Sequence, residues 1–144
     1  MTTSTLNIVV FEQGTTYLSG ANTTLTGGKG PYVLDGSAGG DTLLASKGDA
    51  VLIGGNGDTL VAGKGQDTFL FRSDFGGDTI KNFNLHEHTL QFDQGIFKNV
   101  HDIWAHTTNT SAGAVISDGH GDTVALLGVS TAQLHSHEHD FILA

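Results

Sequence analysis

The sequence predicts an all-β chain: a parallel β-roll (β-solenoid) capped by C-terminal antiparallel strands and one short helix. Three observations lead there. First, 14 of the 21 glycines fall between Gly27 and Gly77, interleaved with Thr, Val, Leu, Ile and Phe. Such density calls for many tight turns between short apolar strands. Second, 12 of the 15 acidic residues are Asp, the acid whose short carboxylate suits turns and hard cations. Third, the chain repeats itself at a period of about nine residues.

The repeat aligns on Asp followed by a small residue and an apolar pair. The units are Gly40-Asp41-Thr42-Leu43-Leu44, Gly48-Asp49-Ala50-Val51-Leu52, Gly57-Asp58-Thr59-Leu60-Val61 and Gln66-Asp67-Thr68-Phe69-Leu70, with Asp spacings of eight, nine and nine. An earlier copy without Asp reads Gly30-Pro31-Tyr32-Val33-Leu34. Isolated echoes are Gly77-Asp78-Thr79-Ile80 and Gly121-Asp122-Thr123-Val124. Nine residues are too few for a helical repeat and leave room for a turn and a strand of about three residues. Leu43, Val51, Leu60 and Phe69 are the expected core-facing side chains. No unit can bury its apolar residue alone, so units must stack. Successive units should fall on opposite sides of a flattened right-handed coil, two per turn, with parallel strands about 4.8 Å apart.

Lys98–His106 carries Val100, Ile103 and Trp104 at helical spacing and predicts the short helix, with Trp104 packed on the core. Ala114–Ser117 and Thr123–Leu127 flank Asp118-Gly119-His120-Gly121, a hairpin signal. The expected organisation is a single domain, 1–144, with the roll at about 20–72, a capping region at 73–134 and a tail at 135–144.

These units resemble the repeats-in-toxin (RTX) nonapeptide, Gly-Gly-x-Gly-x-Asp-x-(apolar)-x. Gly36–Leu44 and Ala62–Leu70 fit it well. Gly54-Gly55-Asn56-Gly57-Asp58 and Lys47-Gly48-Asp49 are each one residue short before the Asp. The segments Thr68–Phe71, Phe75–Phe83 and Thr89–Asp93 are similar to the strands that follow the repeats in serralysin-type C-terminal domains. The resemblance implies calcium (Ca2+) as the bound ion, held between units i and i+2 by Asp carboxylates and turn carbonyls. Carried over, Asp41 pairs with Asp58 and Asp49 with Asp67, and the turn residues are Gly36, Gly39, Gly55, Gly57, Gly63 and Gly65. The competing reading is that these Asp residues brace turns through local hydrogen bonds. Asp140-Phe141-Ile142-Leu143-Ala144 resembles the uncleaved C-terminal signals of type I secretion substrates, which implies the type I secretion machinery as partner and a secreted, extracellular location.

Other functions are disfavoured. A net charge of −9 with six bases offers no basic patch for nucleic acid. No Cys is present, so no disulfide or Cys-based metal site forms. The apolar run Ile8–Phe11 is too short for a signal peptide or a membrane span. No H-E-x-x-H, Ser-His-Asp order, P-loop or dinucleotide motif is present, so a non-enzymatic module is expected. The eight histidines include Leu85-His86-Glu87-His88 and His135-Ser136-His137-Glu138-His139-Asp140. Their alternate spacing makes a transition-metal site geometrically feasible on a strand, though a solvated tail is the simpler expectation. An auxiliary module that binds polysaccharide and a calcium-independent structural β-solenoid are the alternatives. The acidic charge disfavours an acidic polysaccharide.

Overall fold

The computed structural model describes residues 5–10, 14–138 and 141–143. The strands are β1 (Thr5–Val10), β2 (Thr16–Ala21), β3 (Thr24–Thr26), β4 (Tyr32–Asp35), β5 (Thr42–Leu44), β6 (Ala50–Gly54), β7 (Thr59–Val61), β8 (Thr68–Phe71), β9 (Gly77–Lys81) and β10 (Thr89–Phe92). After them come α1 (Val100–Ala105), β11 (Thr107–Asn109), β12 (Gly113–Ser117), β13 (Thr123–Leu127), α2 (Thr131–His135) and β14 (Phe141–Leu143).

Two seven-stranded sheets form. One runs β1-β2-β4-β6-β8-β10-β14 and the other β11-β12-β13-β9-β7-β5-β3. The chain alternates between them, so each coil contributes one strand to each sheet. The result is a β-solenoid of about four turns. Strands β2 through β10 pair in parallel with the strand one coil away.

Register explains the core. In the first sheet Leu18, Leu34, Leu52, Phe69 and Leu90 stand in one row; in the second Leu25, Leu43, Leu60, Ile80 and Leu126 do. All ten are buried. Period-two alternation puts each of them inward and its neighbours outward. The sheet rows meet across a thin apolar interior that no single coil could close.

Val51 is a correction. Leu52 is fully buried, whereas Val51 is half-exposed on the outer surface. The eight-residue step from Asp41 to Asp49 is the cause. Ala50, rather than Asp49, occupies the position before the strand that Asp67 occupies one coil later. A one-residue offset inverts which side chains face the core.

The echoes at Asp78 and Asp122 prove to be part of the stack. β9 continues the second sheet beside β7, and β13 lies parallel to β9. The antiparallel portion is the β11-β12-β13 ribbon. The predicted hairpin is β12–β13, and the predicted helix is α1, capped by the Asn99 side chain, which accepts from the Asp102 amide. A second helix, α2, carries a Ser130/Gln133 capping box. Trp104 is half-buried against the core, between the rings of His135 and Phe141 at 4.5 and 4.9 Å. At the other end, β1 folds back antiparallel on β2, with Leu6 and Ile8 exposed. Phe11, His139, Asp140 and Ala144 lie outside the described residues.

Candidate functional site

The turns between sheets form two edges, and the predicted ligands divide between them. The edge from the first sheet to the second holds residues 36–41, 55–58 and 72–76. The return edge holds 45–49, 62–67 and 82–88.

On the first edge, Asp41, Asp58 and Asp78 stand one above another. Each Oδ1 accepts the backbone N–H at the equivalent place one coil earlier: Thr23 to Asp41 at 2.9 Å, Asp41 to Asp58 at 2.8 Å and Asp58 to Asp78 at 2.9 Å. These carboxylates therefore form a ladder. All three are at most 3% exposed. The second oxygens differ. Asp58 Oδ2 accepts from Gly55 N at 2.7 Å, which the short turn places three residues back. Asp41 Oδ2 and Asp78 Oδ2 are buried and have no hydrogen-bond partner. In the longer turn, the N–H of Ser37, the register equivalent of Gly55, donates instead to Asp35 Oδ1 at 3.0 Å.

Burial governs the electrostatics here. Desolvation pushes the Asp58 carboxyl up to about 6 against the pull of its two N–H donors, helped by the neighbouring Asp41 and Asp35. Asp78 is pushed up to about 8, again chiefly by desolvation, with Asp58 and Asp122 adding to the rise. Asp41 is raised for the same leading reason. Beside the ladder, the Tyr17 hydroxyl donates to Asp35 Oδ2. Burial acts to raise Asp35, but the Ser37 and Tyr17 donors and the Arg72 charge outweigh it and hold its carboxyl below the usual range.

On the return edge, Asp49 and Asp67 are neighbours but out of step by one residue. Asp49 Oδ1 accepts from Gln66 N at 2.8 Å and Asp49 stays exposed. Asp67 is buried, and its oxygens accept from Ala50 N at 3.0 Å and Gly63 N at 2.9 Å. Buried His88 closes this edge. Its Nδ1 accepts from Asn84 N at 2.9 Å, so the ring hydrogen sits on Nε2, 3.2 Å from Gly65 O and 3.5 Å from Asp67 Oδ2. Desolvation raises Asp67 despite these contacts.

The six predicted glycines all sit in these turns. Gly39 and Gly57 adopt φ of 93° and 78°, a region open to glycine. At Gly36, Gly55, Gly63 and Gly65 the adjacent coil passes directly over the Cα. A Cβ on Gly36 would strike the Asp58 carboxylate, and one on Gly63 would strike the Ser46 carbonyl. The nonapeptide glycines thus allow coil-to-coil contact at the edges.

The structure brings Asp41 together with Asp58 in register, and Asp49 with Asp67 out of register. It adds Asp78 to the first edge and His88 to the second. The Gly-Asp-Thr echo at 77–79 signals Asp78. The alternating His86-Glu87-His88 singles out His88, but nothing in the sequence signals its contacts with Gly65 and Asp67, which lie in the previous coil. Among the described residues, no three His, Asp or Glu side chains converge to hold a metal ion by themselves. No helix among them is long and apolar enough to cross a membrane. No family model and no curated protein sequence matches the chain.

Proposed function

We propose that this chain is a secreted calcium-binding β-solenoid module, non-catalytic, whose roll is completed by the ion after type I export. The observation that carries the reading is the buried ladder of Asp41, Asp58 and Asp78 with two orphaned carboxylate oxygens. Three stacked carboxylates repel one another, and an unsatisfied buried oxygen costs roughly 1–3 kcal/mol. A divalent cation offsets both. Calcium accepts backbone carbonyls as well as carboxylates, so a site here draws on turn carbonyls beside Asp41, Asp58 and Asp78. Asp49 and Asp67 offer a second, weaker place, since both Asp67 oxygens are engaged by backbone donors. The tail supports export only by its resemblance; Phe141–Leu143 also forms β14 beside β10.

A calcium titration tests this. Circular dichroism and melting temperature should both rise from chelator to excess calcium, with an affinity of about 10⁻⁴–10⁻³ M. Asp41→Asn or Asp78→Asn should weaken the response, and Asp49→Asn should leave most of it. Identical melting in chelator and calcium would overturn the role of the ion. Export is tested separately, by moving residues 135–144 onto an unrelated passenger in a host with a type I transporter; retention of the passenger in the cytoplasm removes that part.

One observation favours a second reading, a calcium-independent structural solenoid. Asp58 and Asp67 each have both oxygens satisfied by backbone N–H groups. In that case the carboxylates brace the turns as fixed acceptors, and the chelator experiment gives the flat result.

A further inference from the structure

His86 and His137, one from each of the two histidine clusters and 51 residues apart in sequence, meet in the fold. The rings of His86 and His137 lie with centroids 5.0 Å apart, nearly perpendicular at 81°. We propose that His86 and His137 bind a borderline divalent cation of the zinc, nickel or copper class, a site separate in chemistry from the carboxylate ladder.

The separation suits such an ion. With a metal–nitrogen distance of about 2.0–2.1 Å and tetrahedral angles, two imidazoles sharing one ion hold their ring centres about 5 Å apart. Imidazole is the ligand these cations prefer, whereas calcium takes oxygen.

Both histidines are presented by braced backbone. The 84–88 turn is tied by the amides of Glu87 and His88 to Asn84 O, at 3.1 and 2.9 Å, and by His86 N to Asn84 Oδ1 at 2.9 Å. Buried His88 pins the same turn to Gly65. On the other side, α2 is fixed by its capping box and buried Leu134, and His137 N donates to Leu134 O at 3.0 Å. Ligands on rigid elements lose little freedom on binding. His135 faces elsewhere, against Trp104.

The surroundings favour a cation. His86 opens on a polar groove of about 340 Å³ that Asp49, Asp67 and Glu87 also line. Their field concentrates positive ions at its mouth. Two imidazoles are a partial set, and water completes the coordination.

The test is zinc titration by calorimetry in calcium-saturated buffer, which occupies any oxygen site first. Wild type should take up one zinc. His86→Ala, at an exposed position, and His137→Gln should each weaken binding by more than about tenfold. His101→Ala, at an exposed position on α1, should bind as wild type does. Bound copper(II) should show two coordinated nitrogens by electron paramagnetic resonance, and fewer in either variant. No zinc uptake by wild type overturns the site, as does wild-type affinity in His86→Ala, which would place binding on the C-terminal histidines alone. If His137→Gln fails to fold, His86→Ala decides.

Discussion

Asp78 shows most sharply how one residue carries the physics of this protein. Its carboxyl is buried, raised to about 8, and bonded through one oxygen only. A carboxyl whose folded pKa lies above its unfolded value near 3.8 stabilises the fold when protonated. That contribution is complete below about pH 4 and is lost as pH rises through the folded value. For Asp58 the loss runs from about 4 to about 6, and for Asp78 from about 4 to about 8. The calcium-free chain should therefore melt at lower temperature at pH 8 than at pH 5. Asp78→Asn should shrink that difference, since a tenfold gain in proton affinity on folding is worth about 1.4 kcal/mol. Asp35, held low, acts oppositely, but only below about pH 4. Calcium competes with protons for the same oxygens, so its stabilisation should grow over the interval in which the free chain weakens. Melting curves at pH 5, 6, 7 and 8 with chelator and with calcium check both statements; a pH-independent melting temperature in chelator would contradict the first.

Among the elements, the solenoid strands β5 to β9 are legible in the sequence because each carries its own apolar residue behind or within a Gly-Asp or Gln-Asp turn. Leu43, Leu60 and Phe69 face inward as the repeat predicts. The strand β6 is legible in existence but not in phase. The repeat aligns on Asp49, while the stack aligns on Ala50, because backbone pairing to the next coil sets phase and a sequence motif does not. This has a measurable consequence. Leu52→Ala should cost about 2–5 kcal/mol, a fully buried leucine removed from a packed row. Val51→Ala, on the outer surface, should cost clearly less. Urea denaturation of the two variants checks it, and equal losses would mean the register is wrong. The ladder itself is half-legible. Asp41 and Asp58 follow from the nonapeptide, but Asp78 stands outside the tandem run as an isolated echo. The pairing of His86 with His137 is illegible, since each cluster alone looks like solvated chain and only the docking of α2 brings them together. The α2 helix has its own signal, Ser130 followed by Gln133 three residues on, a capping box.

For the whole molecule, the distribution of aromatic mass along the stack matters most. Phe69, Phe71, Phe75, Phe92 and Phe97 cluster between β8 and α1; from Phe71 to Phe97, neighbouring ring centroids lie at 5.0 to 6.1 Å. The coils toward β2 and β3 have Leu18, Leu25, Leu34 and Leu43 in the equivalent interior. Each coil touches only the coils beside it, so stability is a sum of nearest-neighbour terms rather than a property shared evenly. The phenylalanine end should then be the more stable one, with local loss of order setting in first at the coils nearest the N-terminal hairpin. Amide hydrogens of β8 and β10 should exchange slowest and those of β2 and β3 fastest, with β4 and β6 between them. Uniform exchange along the stack would argue for one cooperative block. A graded solenoid of this kind behaves as a zipper, closed firmly at one end and fraying at the other.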